Sequence, residues 1–311
     1  MSLSTPIAFI IFNRPDVTEK VFKAIRQAKP KMLLVIADGA RPDKPGEIEK
    51  CAAARAIIDR VDWDCEILKC YSEINLGCGI NVSQGITWVF KQVEEAIILE
   101  DDCLPHPTFF RFCEELLEKY RDDERVMLIS GANVLGEYKS NSQSYYFSMF
   151  AGIWGWATWR RAWKLYDYEM KDLPQALQVG FLKNYFHNPE HCSYWQELFQ
   201  NQCDDEAKLN TWDFQWLFSQ WIQNGLGVIP AVNLISNLGF GGDATHTSGS
   251  SPLANMPMSP LDFPLAHPLL MQRDFEMDNS IQSKFFGKQN ANLQSRILRK
   301  AKNLVTKAIA R

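Results

Sequence analysis

Three consecutive acids, Glu100-Asp101-Asp102, follow the apolar run Ala96-Ile97-Ile98-Leu99. Carboxylates crowded at the end of a buried strand repel one another, and a divalent cation relieves that repulsion by supplying opposite charge. A hard ion shared between one carboxylate and two phosphate oxygens is the chemistry this spacing points to. The plainer alternative is a solvated acidic turn that opens the next helix, where the helix dipole favours aspartate.

Other polar groups fall in comparable places. Asn13-Arg14, Asp38-Gly39 and the pair Asn75/Gly77 each follow a short β-branched run. Asp213, in Trp212-Asp213-Phe214-Gln215-Trp216, is a carboxylate suited to taking a proton from a hydroxyl, or equally to capping a helix. Asn237 to His246 holds several glycines, which let backbone approach a ligand closely, and His246 could complete a metal shell or pair with a departing phosphate. Trp154, Trp156, Trp159 and Trp163 can stack on sugar faces, although large aromatics are normally core. Of these, Trp154 and Trp156, which flank Gly155, are the ones expected at a ligand. His187, His191 and Cys192 form a loose metal-like cluster without the second ligand pair that a zinc site uses.

The elements that must position these groups are readable in the first half, where short apolar runs alternate with helical periodicity, the signature of a parallel α/β sheet. The pattern predicts strands at 7–12, 32–37, 65–71, 96–99 and 126–130. It predicts helices at 17–28, 47–58, 81–93, with Asn81 as cap, and 107–120. In open α/β sheets ligands bind beyond the carboxyl ends of strands. Arg14, Asp38, Asn75 with Gly77, and Asp101 with Asp102 all sit at such ends, so four polar clusters converge on one edge. Later, 212–223 reads as helix, 228–230 and 233–235 as short strands, and 250–268 as irregular and Pro-rich.

With 311 residues and 46% hydrophobic residues the chain is long enough for a full core, and its net charge of −4 argues against nucleic-acid binding. That charge is uneven. Residues 279–311 hold eight of the 33 basic residues and no acid, leaving 25 basic against 37 acidic residues, or −12, in the rest. In 293–311 the apolar residues fall on one helical face among Arg296, Arg299, Lys300, Lys302 and Lys307, a pattern suited to an anionic membrane surface, a docked terminal helix or a disordered tail. Eight scattered cysteines without a CxxC pair suggest reduced thiols, and the absence of a leader or an apolar span suggests a cytoplasmic protein, peripheral on the membrane if the tail binds there.

Phe12-Asn13-Arg14-Pro15, Asp38-Gly39, Ile98 to Asp102 and Pro107-x-Phe109-Phe110 resemble the nucleotide-sugar glycosyltransferases of the GT-A fold, closest to the N-acetylglucosaminyltransferase I type. Gly152 to Trp156, Trp163 and Trp212-Asp213 are similar to further segments of that family, and the likeness runs from about Ile7 to His246. It implies a GT-A, Rossmann-like, mostly parallel sheet flanked by helices. It also implies transfer of a hexosyl or N-acetylhexosaminyl group from a nucleotide-diphosphate sugar, a UDP-linked one, with inversion, to a glycan or lipid-linked acceptor. By position, Asp102 matches the aspartate that binds Mn²⁺ or Mg²⁺, Asp101 the one near the ribose, and Arg14 and Asp38 positions near the uracil. Asp213 lies in the segment that supplies the catalytic base, but this chain has Phe214 and Gln215 where the family has paired acids.

The expected organisation is a catalytic domain over 1–250, split into a nucleotide-sugar-binding half (1–131) and an acceptor half (132–250), followed by a Pro-rich segment and basic C-terminal helix over 251–311. Two other readings stay open. A sugar-nucleotide nucleotidyltransferase would want a Gly-rich basic loop after the first strand, which Phe12 to Pro15 lacks, and a non-catalytic membrane-active or carbohydrate-binding protein could keep the same fold.

Overall fold

A computed structural model of the chain describes residues 2–139, 141–203, 211–240 and 251–286. His246 and the basic segment 293–311 lie outside the described residues. The elements run β1 (Ile7–Ile11), α1 (Pro15–Ala28), β2 (Met32–Ala37), α2 (Glu47–Ile58), β3 (Glu66–Tyr71), α3 (Cys78–Gln92), β4 (Glu95–Glu100), β5 (Cys103–Pro105), α4 (Pro107–Lys119) and β6 (Val126–Ser130). Then follow β7 (Tyr145–Ser148), β8 (Trp156–Trp159), α5 (Arg160–Trp163), α6 (Leu173–Gln178), a 3-10 turn, α7 (Pro189–Cys203), α8 (Asp213–Ile222), β9 (Leu226–Pro230), β10 (Ile235–Asn237) and α9 (Phe275–Phe285).

Eight strands form one sheet in the order β3-β2-β1-β4-β8-β6-β9-β7, and β10 pairs with β5 in a small second sheet. All pairings from β3 to β4 are parallel, as is β6 with β9, while β8 and β7 run antiparallel to their neighbours. The mixed α/β class with a largely parallel sheet flanked by helices is therefore the observed architecture. The apolar strands are buried on both faces, as parallel sheets require. Ile7, Phe9, Ile11, Leu33, Val35, Ala37, Ile97 and Leu99 join one core with α1, α2 and α4 residues such as Phe22, Ile58 and Phe109. Ile36 faces the other way, where α3 comes so close at Gly85 that a Cβ there would sit 2.5 Å from the Ile36 side chain.

The sheet's register sets the site. Ile11 pairs with Ala37, Ala37 with Tyr71, and Ile10 with Glu100, so the four parallel strands end nearly level. The polar residues that follow each strand therefore emerge on one edge.

One sequence expectation is corrected here. Helix α3 begins at Cys78, not Asn81; its cap is Gly77, at φ +79 and ψ 160, a backbone region open essentially to glycine, and Asn81 is buried inside the helix. The chain also divides into two compact units, Met1–Tyr168 with Asn210–Arg273, and Glu169–Leu209 with Asp274–Arg311. Residues 251–273 belong to the first unit because they are hydrogen-bonded into it, through Ser259 N to Asn233 O (3.0 Å) and Ser144 N to Ala266 O (2.8 Å). The second unit has its own core around Trp195, Phe199 and Ile281, with the Trp195 indole donating to Gln282 Oε1 at 3.0 Å. All eight cysteines are free, but only Cys51, Cys103 and Cys113 are fully buried.

In the first unit, Trp156, Trp163, Trp212 and Trp216 pack together with ring centroids 5.1–6.3 Å apart. Trp216 is fully buried. Truncating it to Ala should cost about 3–5 kcal/mol of unfolding free energy in urea denaturation with an unchanged m-value.

Candidate functional site

The residues after β1 and β4 meet through one guanidinium. Arg14 Nη2 donates to Asp101 Oδ1 and lies 3.0 Å from Asp102 Oδ2. Burial opposes the charge on Arg14, but Asp101 and Asp102 more than offset it and hold its pKa above the ordinary arginine value. The acids respond in the opposite sense. Burial and the neighbouring carboxylates push Glu100 well above the usual carboxylate range. Asp101 is also raised, by burial, although Arg14 pulls against that. One cation thus faces three acids, and the second oxygen of Asp101, which is 3% exposed, has no hydrogen-bond partner among the described residues.

The loop after β2 is tied to the loop after β3 by Asp38. Its Oδ1 accepts from Gly39 N (2.9 Å) and Leu76 N (2.8 Å), and its Oδ2 from Gly77 N (2.9 Å) and Asn75 Nδ2 (3.0 Å). Burial still lifts its pKa above the ordinary aspartate value, against those donors. Arg55 adds a second strap, its Nη2 donating to Asp38 O at 2.9 Å and Ser72 O at 2.8 Å. Gly39 is required at this junction, since a Cβ there would lie 2.4 Å from the Ile74 carbonyl carbon.

A third tie joins the loops after β1 and β2. Glu47, in the first turn of α2, accepts from Asn13 Nδ2 (2.7 Å), from Arg41 N (2.7 Å) and from the Arg41 guanidinium. The bonds from Arg41 hold Glu47 down to about 2. Glu47, Arg41 and Arg55 were not anticipated. In sequence Glu47 is an ordinary acid at a helix start, and nothing in its spacing announces the partners that folding brings to it.

Asp213 opens α8, with Trp212 as the capping residue. Its charge contributes to raising both Glu100 and the Cys78 thiol, so it belongs to the same electrostatic neighbourhood as the acids after β4. The segment after β10 reaches that neighbourhood too. Leu238 N donates to Asp102 O at 2.8 Å, and Gly239 lies so close that a Cβ would sit 2.0 Å from Asp102 Oδ2. Phe240 meets the Trp154 ring edge-on at 5.7 Å.

The structure therefore brings together Arg14, Asp38, Asn75, Gly77, Asp101, Asp102 and Asp213, with Trp154 beside Phe240. Trp156 is placed differently. It is fully buried, stacked on Trp212 at 5.8 Å and 23°, because it lies on a central strand between β4 and β6; its ring is a core element and not a sugar platform. Asp38, with both oxygens occupied by loop donors, is an organiser of the edge and not an open base-reading carboxylate. His187 and His191 join no metal cluster: among the described residues no group of three or more His, Cys, Asp or Glu is disposed to hold a metal ion. A surface recess lined by Ser4, Glu95, Arg111 and Arg121 lies at the opposite, amino end of β4. Among the described residues no helix is long and apolar enough to cross a membrane.

A raised carboxylate pKa has a definite stability consequence. Glu100 holds its proton more tightly folded than unfolded, so its charge costs stability as pH rises from about 4.3, the unfolded value, through the folded one. Replacing Glu100 by Gln should raise Tm by a few degrees at pH 7.5 and leave it nearly unchanged at pH 4, read by calorimetry. An equal gain at both pH values would mean that charge is not the cause.

No protein-family model matches this chain, and no curated protein matches it. Among solved structures it is similar to a UDP-glucose pyrophosphorylase complexed with UDP-glucose, at TM-score 0.26 and 10% identity, over 48% of this chain and 64% of that one. It is also similar to the inositol-1-phosphate CTP transferase from T. maritima, at TM-score 0.31 and 7% identity, over 57% of this chain and 84% of that one. Neither is a glycosyltransferase, and likenesses this distant assign the chain neither a family nor an activity.

Proposed function

We propose that the protein is a transferase acting on a nucleotide-diphosphate sugar, of the glycosyltransferase type, with the donor bound at the carboxyl edge of the sheet. The observation that carries this reading is the meeting of Arg14, Asp101, Asp102 and Asp213 at that edge, with the loops after β1, β2 and β3 laced beside them. The donor set suits a hard cation: oxygens only, with an unpartnered buried oxygen on Asp101. Asp102 would hold Mn²⁺ or Mg²⁺, and the lack of a third protein ligand is what a cation shared with a diphosphate calls for. Such an ion neutralises the diphosphate charge and stabilises the departing nucleotide.

The chain's own residues do the rest. Asp101, fixed by Arg14, faces the nucleotide side, and Asn75 and Gly77 line it through the loop that Asp38 holds. Asp213 takes the proton of the acceptor hydroxyl as the new glycosidic bond forms. Trp154 with Phe240 screens the reacting groups from water. The basic segment 293–311 would attach the enzyme to an anionic membrane surface, bringing it near a lipid-linked acceptor.

Nucleotidyl transfer is the second reading, and it is the activity named for both structural neighbours. What favours glycosyl transfer is the loop after β1, which is Asn13-Arg14-Pro15 and so lacks the glycines and repeated cations of a triphosphate cradle. The two differ in products. Incubated with UDP-sugars and Mn²⁺, a glycosyltransferase releases UDP and free sugar slowly, whereas a nucleotidyltransferase supplied with pyrophosphate makes UTP and sugar phosphate.

Asp102→Ala should abolish Mn²⁺-dependent UDP stabilisation, worth about 2.7 kcal/mol at a hundred times Kd, and reduce UDP-sugar hydrolysis at least a hundredfold. Unchanged thermal shift and hydrolysis in this variant would remove Asp102 from the reading.

A further inference from the structure

Arg14 occupies the position that a bound cation would be expected to fill. Its Nη2 is shared between Asp101 Oδ1 and Asp102 Oδ2, and the Gly239 backbone closes over the same Asp102 oxygen. A Cβ on Gly239 would meet Arg14 Nη1 at 3.1 Å as well as Asp102 Oδ2, so the loop runs close beside both guanidinium and carboxylate. The Asp102 side chain is only 13% exposed under this cover. Asp101 Oδ2, by contrast, is buried without a partner among the described residues, so one guanidinium leaves the acids incompletely satisfied.

We infer that Arg14 is a built-in, displaceable counter-ion, which pairs with Asp102 and must leave it before a divalent cation can bind there. This inference rests on the cation reading given above. Its physical basis is competition: two positive charges cannot both take the Asp102 oxygen, and their mutual repulsion within a few ångströms disfavours joint occupancy. A cation arriving alone meets an acid that is already paired, so it binds weakly. A cation arriving with a diphosphate brings further oxygens and two or more negative charges, which draw the released guanidinium and make the exchange favourable. Arg14 thus couples cation binding to the presence of a nucleotide diphosphate and keeps the acid cluster from trapping free metal.

The test is titration calorimetry with MnCl₂ alone, without nucleotide. Arg14→Gln and Arg14→Met should each bind Mn²⁺ about tenfold or more tightly than the unaltered protein, since a competing charge is gone. Arg14→Lys, which keeps the charge, should stay within about threefold of it, and Arg26→Gln, at the exposed pair with Asp62, should change nothing. Adding Asp102→Asn to Arg14→Gln should abolish the gain, and guanidinium chloride at millimolar concentration should weaken Mn²⁺ binding to Arg14→Gln but not to the unaltered protein. Two neutral variants keep the test open should one fail to fold, as checked by circular dichroism. If Mn²⁺ binds but Arg14→Gln and Arg14→Met bind it no better, the counter-ion role is overturned and the cation site stands. If no form binds Mn²⁺, with or without UDP, the cation reading falls and the inference with it.

Discussion

Glu100, Asp101 and Asp102 stand in sequence at the end of a strand buried on both faces, and the electrostatics of that placement governs the edge of the sheet. Two unit charges 4 Å apart interact by about 4 kcal/mol at an effective dielectric of 20, so three adjacent carboxylates cannot all ionise there without a cation in reach. The parallel register with β1 supplies one, because Arg14 follows a strand that ends level with β4. One guanidinium among three acids leaves the edge unbalanced, and burial, with the neighbouring carboxylates, raises Glu100 and Asp101 against the pull of Arg14. A fold that carries such a cost at one place needs stability from elsewhere, and the two-faced core of β1, β2 and β4 with its helices provides it.

The remaining ties are arranged around this unbalanced point. Glu47 joins the loops after β1 and β2; Asp38 and Arg55 join those after β2 and β3. Each places a charge where it is hydrogen-bonded several times, the condition under which burying a charge is tolerable. These acids are spent on the chain itself, whereas the acids after β4 are only partly spent. The difference separates structural carboxylates from those free to bind, and it follows from the number of donors around each.

Such a distinction is not legible in a sequence. The first half of the fold was, because β-branched runs and helical periodicity are local signals and the strand ends carry their polar residues in plain view. The short strands β5, β7 and β8 and the helices α7 and α9 were not, since they are fixed by pairing and packing with distant segments. Asp38 reads as a strand-end acid, but three of its four donors come from a loop 37 to 39 residues away, the fourth being the adjacent Gly39 N. Asn favours a cap position, which is what Asn81 suggests in sequence, while the backbone turns at Gly77, where only glycine is at ease. For Trp156, composition cannot distinguish an aromatic ring on an edge, open to a ligand, from one between two strands.

The correction of Trp156 gives the aromatic cluster a mechanical role in place of a binding one. Trp156 sits on β8, the antiparallel neighbour of β4, and pairs across to Ile98, two residues before Glu100. Trp212 and Trp216 belong to the start of α8, and both pack on Trp156. Asp213 lies between them in sequence, so the rings that bury against Trp156 fix the first turn of α8 relative to the end of β4. Interlocked aromatics in a close-packed interior permit little movement. The apolar contacts beneath the first turn of α8 therefore hold the carboxylate of Asp213 in the field of Glu100.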